Sequence, residues 1–453
     1  MKKLLFIIIV TSVALTSCIK VNISEDYGNG GTNPGGSRGD SVISGKIDVS
    51  KTYTQGKYIL KGYVYVTNNA TLTFNPGCVI VSDISEKGAL IVEKGSKLIA
   101  EGSATNPIVF TSGKPAGSRA VGDWGGIILL GKAPTNRPLS PEPIIEGGVN
   151  RTYGGTDAND NSGILRYVRI EFAGIAAEPG SEINGLTLGG VGAGTILDYI
   201  QVSYGNDDAY EFFGGTVNAK HLIAFATMDD DFDFDFGFTG KLQYGISLRD
   251  KPSDIDQANG VECDNDGSGT SATPYTKPSL VNFTLIGPYD TAGAAALHGF
   301  GERWRRATRF VFRNNIQMGH RLGGFVMEND PTLNAYIAGE SEFKQNLLHA
   351  YTRVVGSSNQ AILSDAALRT KVEAEGSKIF ASRDEIMLEN PFNLATPNFK
   401  PKTGSPAITP AVTAADNNGL DAFFVKENFR GAIGTTDWTT TGWASWTPKT
   451  NSY

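Results

Sequence analysis

The sequence predicts an all-β chain that is wound into a single right-handed parallel β-helix. Three observations predict this fold: short β-branched and aromatic runs from residue 41 onward, Gly, Asn and Pro turns between them, and a repeat of about 22 residues. Elements such as LDYIQVSY at Leu197, AKHLIAFA at Ala219 and LQYGISL at Leu242 recur at this interval. One coil cannot bury its own inner face, so successive coils must stack into one continuous core.

The first residues have the pattern of a lipoprotein export signal. A basic Lys-Lys pair precedes an apolar run from Leu4 to Leu15, which is too short to span a bilayer. The LTSC sequence that follows has the small-residue spacing of a lipobox, with Cys18 as the lipidated residue. We therefore predict a signal peptide over 1–17 and a membrane anchor at Cys18. Ile19 favours the outer membrane, on a side that the sequence does not specify.

The remaining chain divides into three parts. Residues 18–40 carry the lipidated cysteine and a Gly-, Ser- and Asn-rich tether. Residues 41–407 are predicted to form the β-helix, interrupted by one short helix between Ser364 and Gly376 (SDAALRTKVEAEG). Residues 408–453 are rich in aromatic side chains and are expected to form a C-terminal cap over the open core.

Composition and cysteine spacing exclude several classes of protein. The formal net charge is −7 and the basic residues form no cluster, which excludes a nucleic-acid partner. Cys78 and Cys263 lie several coils apart, beyond the reach of a disulfide, so we expect both to be free and buried.

Four segments resemble a family of bacterial lipoproteins with a pectin-lyase-like β-helix. They are GALIVEKGSKLIAEGSATNPIVFTS at Gly88, GDWGGIILLGKAP at Gly122, DDAYEFFGGTV at Asp207 and FFVKENFRGAIGTTDW at Phe423. The resemblance covers most of the chain after the signal peptide and implies the β-helix fold and a lipid anchor. It implies no catalytic residues, because the family has no settled function.

Outward-facing carboxylates are the strongest candidate site. Residues 231–238 alternate Asp and Phe, so Phe232, Phe234, Phe236 and Phe238 should share the buried face. Stacked coils then place outward carboxylates in a ladder with a spacing of about 4.8 Å. Such a ladder is either an exposed, solvated acidic face or a Ca²⁺ site, because Ca²⁺ binds several oxygen ligands. The predicted cation-binding residues are Asp229, Asp230, Asp231, Asp233, Asp235, Glu211, Glu262 and Asp264, and Glu328 extends the ladder.

Catalytic patterns are weaker. The Asp207-Asp208 turn lacks the Gly-His-Gly and Arg-x-Lys motifs that polygalacturonase-like β-helices carry on the next coils. A lyase would need a basic residue beside a cation-bound carboxylate. The residues considered for that base are Lys220, Lys241, Arg303, Arg305 and Arg306. Three tryptophans could stack on sugars or serve in the cap, namely Trp438, Trp443 and Trp446.

These observations favour non-catalytic binding of a glycan, a peptide or an envelope protein by a lipid-anchored β-helix. The alternative is a cation-dependent polysaccharide lyase or glycosidase. A structural spacer or adhesin is a third possibility, which would have no groove with aromatic and basic residues beside the acidic ladder. Fold alone does not choose among these functions.

Overall fold

The computed structural model describes residues 41–178, 181–253, 257–288, 292–410 and 415–453. The predicted signal peptide, Cys18 and the tether lie outside the described residues. Among the described residues, no helix is long and apolar enough to cross a membrane.

Short strands dominate the described chain. The first are β1 (Ser41–Ile47), β2 (Lys51–Tyr53), β3 (Lys57–Val66), β4 (Thr71–Phe74), β5 (Val79–Ser82), β6 (Leu90–Val92), β7 (Lys97–Glu101), β8 (Ile108–Thr111) and β9 (Ile127–Leu130). The next are β10 (Gly163–Glu171), β11 (Ala176–Glu178), β12 (Ser181–Glu182), β13 (Leu186–Gly189), β14 (Ile196–Ser203), β15 (Tyr210–Phe213), β16 (Asn218–Phe225), β17 (Phe232–Asp235), β18 (Lys241–Leu248) and β19 (Val261–Cys263).

The later strands are equally short. They are β20 (Ser279–Val281), β21 (Thr284–Ile286), β22 (Phe300–Trp304), β23 (Val311–Arg313), β24 (Ile316–His320), β25 (Gly323–Met327), β26 (Glu342–Lys344), β27 (Leu347–Ala350), β28 (Arg353–Ser357), β29 (Lys378–Ile379), β30 (Leu388–Asn390) and β31 (Asn398–Pro401). The helices are α1 (Asp330–Ile337), α2 (Asp365–Ala374) and the short 3₁₀ turns Arg383–Ile386 and Trp438–Thr440.

Parallel pairing joins 27 of these described strands into one sheet, which winds as a right-handed parallel β-helix with three faces. The first face contains β2, β4, β7, the first halves of β10, β14, β16 and β18, and then β20, β23 and β26. The second face contains β5, β8, the second halves of those four long strands, and then β21, β24, β27 and β29. The third face contains β6, β9, β13, β15, β17, β19, β22, β25 and β28. The predicted fold is therefore confirmed.

The aromatic repeat fills the core as the alternation predicts, with one exception. Phe232, Phe234 and Phe238 are fully buried, and the rings of Phe234 and Phe238 stack with centroids 5.3 Å apart. The prediction for Phe236 was wrong. β17 ends at Asp235, and Phe236 has a left-handed backbone (φ 49°) that turns its ring outward, where it stacks on Phe213 at 5.9 Å. A period of two holds only while the strand continues.

Two local predictions are confirmed. Cys78 and Cys263 are both free and buried. The predicted helix is α2, whose N-cap Ser364 accepts a hydrogen bond from the Ala367 backbone N–H. α1 was not predicted, because its apolar pattern is weak, but it buries Leu333 and Tyr336 completely.

The predicted end of the β-helix was wrong. The last strand of the parallel sheet among the described residues is β29, and β30 and β31 instead form a separate antiparallel pair. Residues 388–401 are therefore a hairpin and not the last coil of the range 41–407.

The C-terminal segment, defined here as residues 415–453, buries aromatic side chains as expected, but at a different place. It runs along the flank of the coils and does not lie over an open end. The Val425 N–H donates to the Gln243 side chain (2.9 Å), and the Tyr453 hydroxyl donates to Glu171 (2.6 Å). Trp443 is fully buried in a second apolar cluster, which it shares with residues of the coils and which is separate from the main core.

Candidate functional site

The third face carries a column of acidic side chains. Glu211 of β15 lies opposite Asp233 of β17, and Asp233 lies opposite Glu262 of β19. The next coil places Arg303 of β22 opposite Glu262. The ladder that the alternation predicted is therefore three carboxylates long and ends at an arginine.

A second column lies in the turns two residues before these strands. It consists of Asn184, Asp208, Asp230 and Asn259, which precede β13, β15, β17 and β19. Where a side-chain oxygen of this column accepts a hydrogen bond, the donor is a backbone N–H of the next coil. The Asp230 N–H donates to Asp208 Oδ1 (2.8 Å), and the Phe300 N–H donates to Asn259 Oδ1 (3.0 Å). These bonds fix the column against the stacked coils.

The chain between β9 and β10 covers part of this face. Ile145 and Tyr153 are buried in an apolar cluster outside the coil, together with Phe213. The same connection brings Glu146 to the two columns and closes a small pocket of about 190 Å³. We call it the acidic pocket, and its lining residues are Glu146, Glu182, Asn184, Asp207, Asp208, Glu211, Asp229, Asp230, Asp233 and Glu262.

The acidic pocket is not a solvated face. Asp208 and Glu211 are each only 7% exposed, and Asp230 is 5% exposed. Burial raises the pKa of all three carboxyl groups well above their ordinary values, and the neighbouring carboxylates raise the pKa further. The interpretation of this ladder as an exposed, fully hydrated surface is therefore wrong for the pocket.

Two buried oxygen atoms in the acidic pocket have no hydrogen-bond partner. They are Asn184 Oδ1 and Asp233 Oδ1. The Asn184 amide nitrogen donates to Glu211 Oε2, which brings this amide into contact with a pocket carboxylate. Leaving such an acceptor unsatisfied is costly, and a bound cation is one kind of partner that satisfies a buried oxygen.

Two groups of three carboxylates could each hold a metal ion. In the first group, one oxygen from each of Asp207, Asp208 and Asp229 lies within 4.8 Å of the others. Asp208 also belongs to the second group, with Glu211 and Asp233. The donors are all carboxylate oxygens, which suit a hard cation such as Ca²⁺ better than zinc.

Asp231 is not part of this site, and its prediction as a ligand was wrong. Its carboxylate is fully buried and accepts hydrogen bonds from Thr227 Oγ1 (2.6 Å) and Arg249 Nε (2.9 Å). The Ser247 hydroxyl also donates to it. Asp231 precedes β17, so it does not follow the outward alternation of Asp233 and is instead neutralised by its own arginine.

Two other predicted ligands, Asp264 and Glu262, lie at the arginine end. Asp264 is paired with Arg305 (2.8 Å) and Arg306 (2.7 Å) and lies outside the acidic pocket. Glu262 lines the pocket but also pairs with Arg303 at 3.1 Å. Burial still outweighs the arginines and raises the pKa of Glu262 to about 7.

The remaining predicted residues are separated from the pocket. Asp235 accepts from the Phe236 N–H (2.6 Å), and Glu328 pairs with Arg303 at 2.9 Å. Lys220 and Lys241 lie in the first halves of β16 and β18, on the first face. Trp443 is fully buried and cannot stack on a ligand, which corrects that prediction.

Half of the residues that line the acidic pocket were not predicted from the sequence as cation ligands. Asp207 and Asp208 were considered only as catalytic acids, and Glu146, Glu182 and Asn184 were not considered. The Asn or Asp that recurs two residues before β13, β15, β17 and β19 was a usable signal for Asn184 and Asp208. Glu146 had none, because the chain between β9 and β10 has no counterpart in the repeat.

The comparisons with known proteins agree with this architecture. The family model described as a pectate-lyase like beta helix domain matches residues 45–383. No curated protein and no solved structure matches the chain.

Proposed function

The chain belongs to the family of pectate-lyase-like β-helix domains, and from that premise we propose that it is a lipid-anchored binding protein of the cell envelope. Its binding centre is the acidic pocket, which takes up a divalent cation, with Ca²⁺ as the best-fitting ion. The bound cation then recruits an oxygen-rich ligand, such as a glycan, a peptide or an envelope protein. The role is binding without catalysis.

One observation carries this proposal. The acidic pocket places several buried carboxylates together with two buried oxygens that lack a hydrogen-bond partner, Asn184 Oδ1 and Asp233 Oδ1. Without a cation, protons must balance this charge, as the raised pKa of Asp208 and Asp233 indicates. A divalent cation would displace those protons, so its affinity should increase with pH.

Two observations favour binding over the lyase alternative. The basic residues that pair with the pocket residue Glu262 are Arg303 and Arg305. The pKa of Arg305 is raised by Glu262 and Asp264, so Arg305 cannot accept a proton. The two lysines considered as a base lie on the first face, and Lys241 pairs with Asp421 at 2.9 Å.

A calcium titration tests the cation site. The purified full-length protein in detergent should gain thermal stability with rising free Ca²⁺, because the ion binds only the folded chain. Sodium at matched ionic strength should give a much smaller shift. The double variant Asp208→Asn, Asp233→Asn should lose most of the calcium effect. Asp235→Asn is the matched control, since Asp235 lies on the same strand but outside the pocket.

The opposite results would reject the site. If sodium raises the melting temperature as much as calcium does, the effect is only screening of repulsion. If the double variant responds to calcium like the wild type, the ion binds elsewhere.

The lipid anchor is tested separately. Replacing Cys18 with Ala should release the protein from the membrane fraction, because lipidation is the only anchor that we propose. Uptake of labelled palmitate by the wild type, and its loss in the variant, is the direct measurement. A Cys18→Ala protein that stays with membranes would contradict the proposed anchor.

A further inference from the structure

A second cavity lies at the corner between the first and second faces, under the C-terminal segment, and the second face separates it from the turns that carry Asp208 and Asp230. Its volume is about 410 Å³, within the range of about 300–1,000 Å³ typical of small-molecule sites. The coils contribute Tyr199, Lys220, His221 and Tyr244, and the C-terminal segment contributes the rest of the lining. We call it the flank cavity.

A stack of rings forms its floor. Tyr199, His221 and Tyr244 occupy the same corner of successive coils, where β14, β16 and β18 bend between the first and second faces. Each has a left-handed backbone, with φ of 54°, 52° and 64°. The ring centroids are 4.1 Å apart for Tyr199 and His221 and 4.8 Å apart for His221 and Tyr244, with nearly parallel planes. Three residues in a strained conformation at one corner make a rigid aromatic surface.

Neighbouring groups hold this floor in place. His221 Nδ1 is hydrogen-bonded to Asp198 Oδ1 at 2.8 Å. The Trp438 ring stands edge-to-face with His221, with centroids 5.0 Å apart. The Tyr244 hydroxyl donates to Glu427 Oε1 at 2.7 Å, which fixes the Glu427 carboxylate at the cavity wall.

The flank cavity carries one charge of each sign. Lys220 lies 4.7 Å from the centre of the Phe423 ring and forms no salt bridge within the described chain. Burial lowers its pKa, which indicates that water does not fully hydrate the ammonium. Glu427 forms no salt bridge within the described chain either, so the two charges line one cavity without pairing with each other.

We propose that the flank cavity binds a small zwitterion with an apolar or aromatic side group, of the kind found in a free amino acid or a dipeptide. Lys220 binds the ligand carboxylate, and Glu427 binds the ligand ammonium. The rings of Tyr244, Phe429 and Trp438 contact the side group. This site is separate from the acidic pocket and does not depend on the cation proposed above.

Isothermal titration calorimetry of the full-length protein with L-phenylalanine tests the proposal. Two matched probes each lack one charge: 3-phenylpropionate lacks the ammonium and 2-phenylethylamine lacks the carboxylate. L-phenylalanine should bind at least about tenfold more tightly than either probe, because each charge-assisted hydrogen bond contributes a factor of that order. Removing calcium with EDTA should leave these affinities unchanged, which separates this result from the acidic pocket.

Two variants assign the charges. Lys220→Gln should weaken L-phenylalanine and 3-phenylpropionate but not 2-phenylethylamine. Glu427→Gln should weaken L-phenylalanine and 2-phenylethylamine but not 3-phenylpropionate. Lys241→Gln is the matched control, because Lys241 lies one coil away and pairs with Asp421 outside the cavity; it should bind like the wild type.

Three results would overturn the proposal. The first is no binding of either L-phenylalanine or glycyl-L-phenylalanine to the wild type. The second is equal loss of all three probes in both charge variants, which would indicate a structural role. The third is binding of a neutral disaccharide such as maltose as tightly as L-phenylalanine, which would assign the cavity to sugars.

Discussion

The acidic pocket and the arginine end of the same face lie one coil apart, yet their charges are balanced in opposite ways. In the pocket, Asp208 and Glu211 are buried among other carboxylates. At the arginine end, Asp264 pairs with Arg305 and Arg306 and completes its charge balance within the chain. One strand position runs through both regions, from Glu211 and Asp233 to Glu262 and Arg303, so the side chains and not the fold make the difference.

The difference indicates which region awaits a ligand. A buried charge must be paired, protonated or bound to an ion. The charges of the arginine end are balanced within the chain, whereas the charges of the acidic pocket are balanced only by protons or a bound cation. The following changes alter this balance on one side or the other, beginning with the largest expected effect.

Removing a fully paired carboxylate should cost the most. Asp231→Ala leaves Arg249, whose side chain is 1% exposed, as a buried unpaired charge. We expect the free energy of unfolding to fall by about 3–5 kcal/mol, measured by urea denaturation. A loss below about 1 kcal/mol would mean that water already compensates Arg249.

Converting the arginine end into an acidic pocket should have an intermediate effect. Arg305→Met leaves Glu262 and Asp264 with one cation fewer each. We expect a loss of about 2–3 kcal/mol without calcium. Added Ca²⁺ should restore more stability in this variant than in the wild type, measured as the shift in melting temperature. An equal calcium response in both proteins would contradict the comparison.

Removing a charge from the acidic pocket should stabilise the calcium-free protein. The pKa of Asp233 is raised from 3.8 by burial and by Glu262, so the folded chain holds this proton more tightly than the unfolded chain. The resulting stability is complete below the unfolded pKa and is lost as the pH rises through the folded pKa. Asp233→Asn removes this pH-dependent loss of stability. In EDTA, the variant and the wild type should therefore have the same free energy of unfolding at pH 3, and that of the variant should be higher by about 1 kcal/mol at pH 7. A variant less stable than the wild type at pH 7 would contradict the assignment of net repulsion.

An exposed ion pair should show the smallest change in the free energy of unfolding. Lys61 and Glu86 are 3.1 Å apart, but their side chains are 42% and 60% exposed. Lys61→Ala should change the free energy of unfolding by at most about 0.5 kcal/mol, because water and salt screen the pair. A larger change in the same urea titration would show that charge, and not burial, sets the size of these effects.

The sequence predicts the fold and the acidic column because both follow from periodicity. A period of two places Glu211 and Asp233 on the outer face, and the coil repeat brings them into register. Periodicity cannot predict what covers that face. Ile145 and Glu146 come from a non-repeating connection. The sequence therefore could not show that the acidic column is buried, or that Glu146 lines the pocket.

Strand ends are the second place where periodicity fails to predict the direction of side chains. Asp231 and Phe236 flank β17 and both depart from its alternation, one toward Arg249 and the other toward Phe213. The tryptophans of the C-terminal segment illustrate a third limit. Their abundance correctly indicated burial, but an aromatic composition does not specify whether an end or a flank is covered.

The path of the C-terminal segment has a consequence for how the protein unfolds. Stacked coils contact only their neighbours, so a solenoid can lose its terminal coils one at a time. Here Tyr453 is hydrogen-bonded to Glu171, and Arg430 to Gln345, so one segment ties together coils that are far apart in the stack. Loss of a coil at either contact would also release the segment from the others. The segment therefore couples local openings into one cooperative transition, and full cooperativity requires Tyr453 to be docked on Glu171.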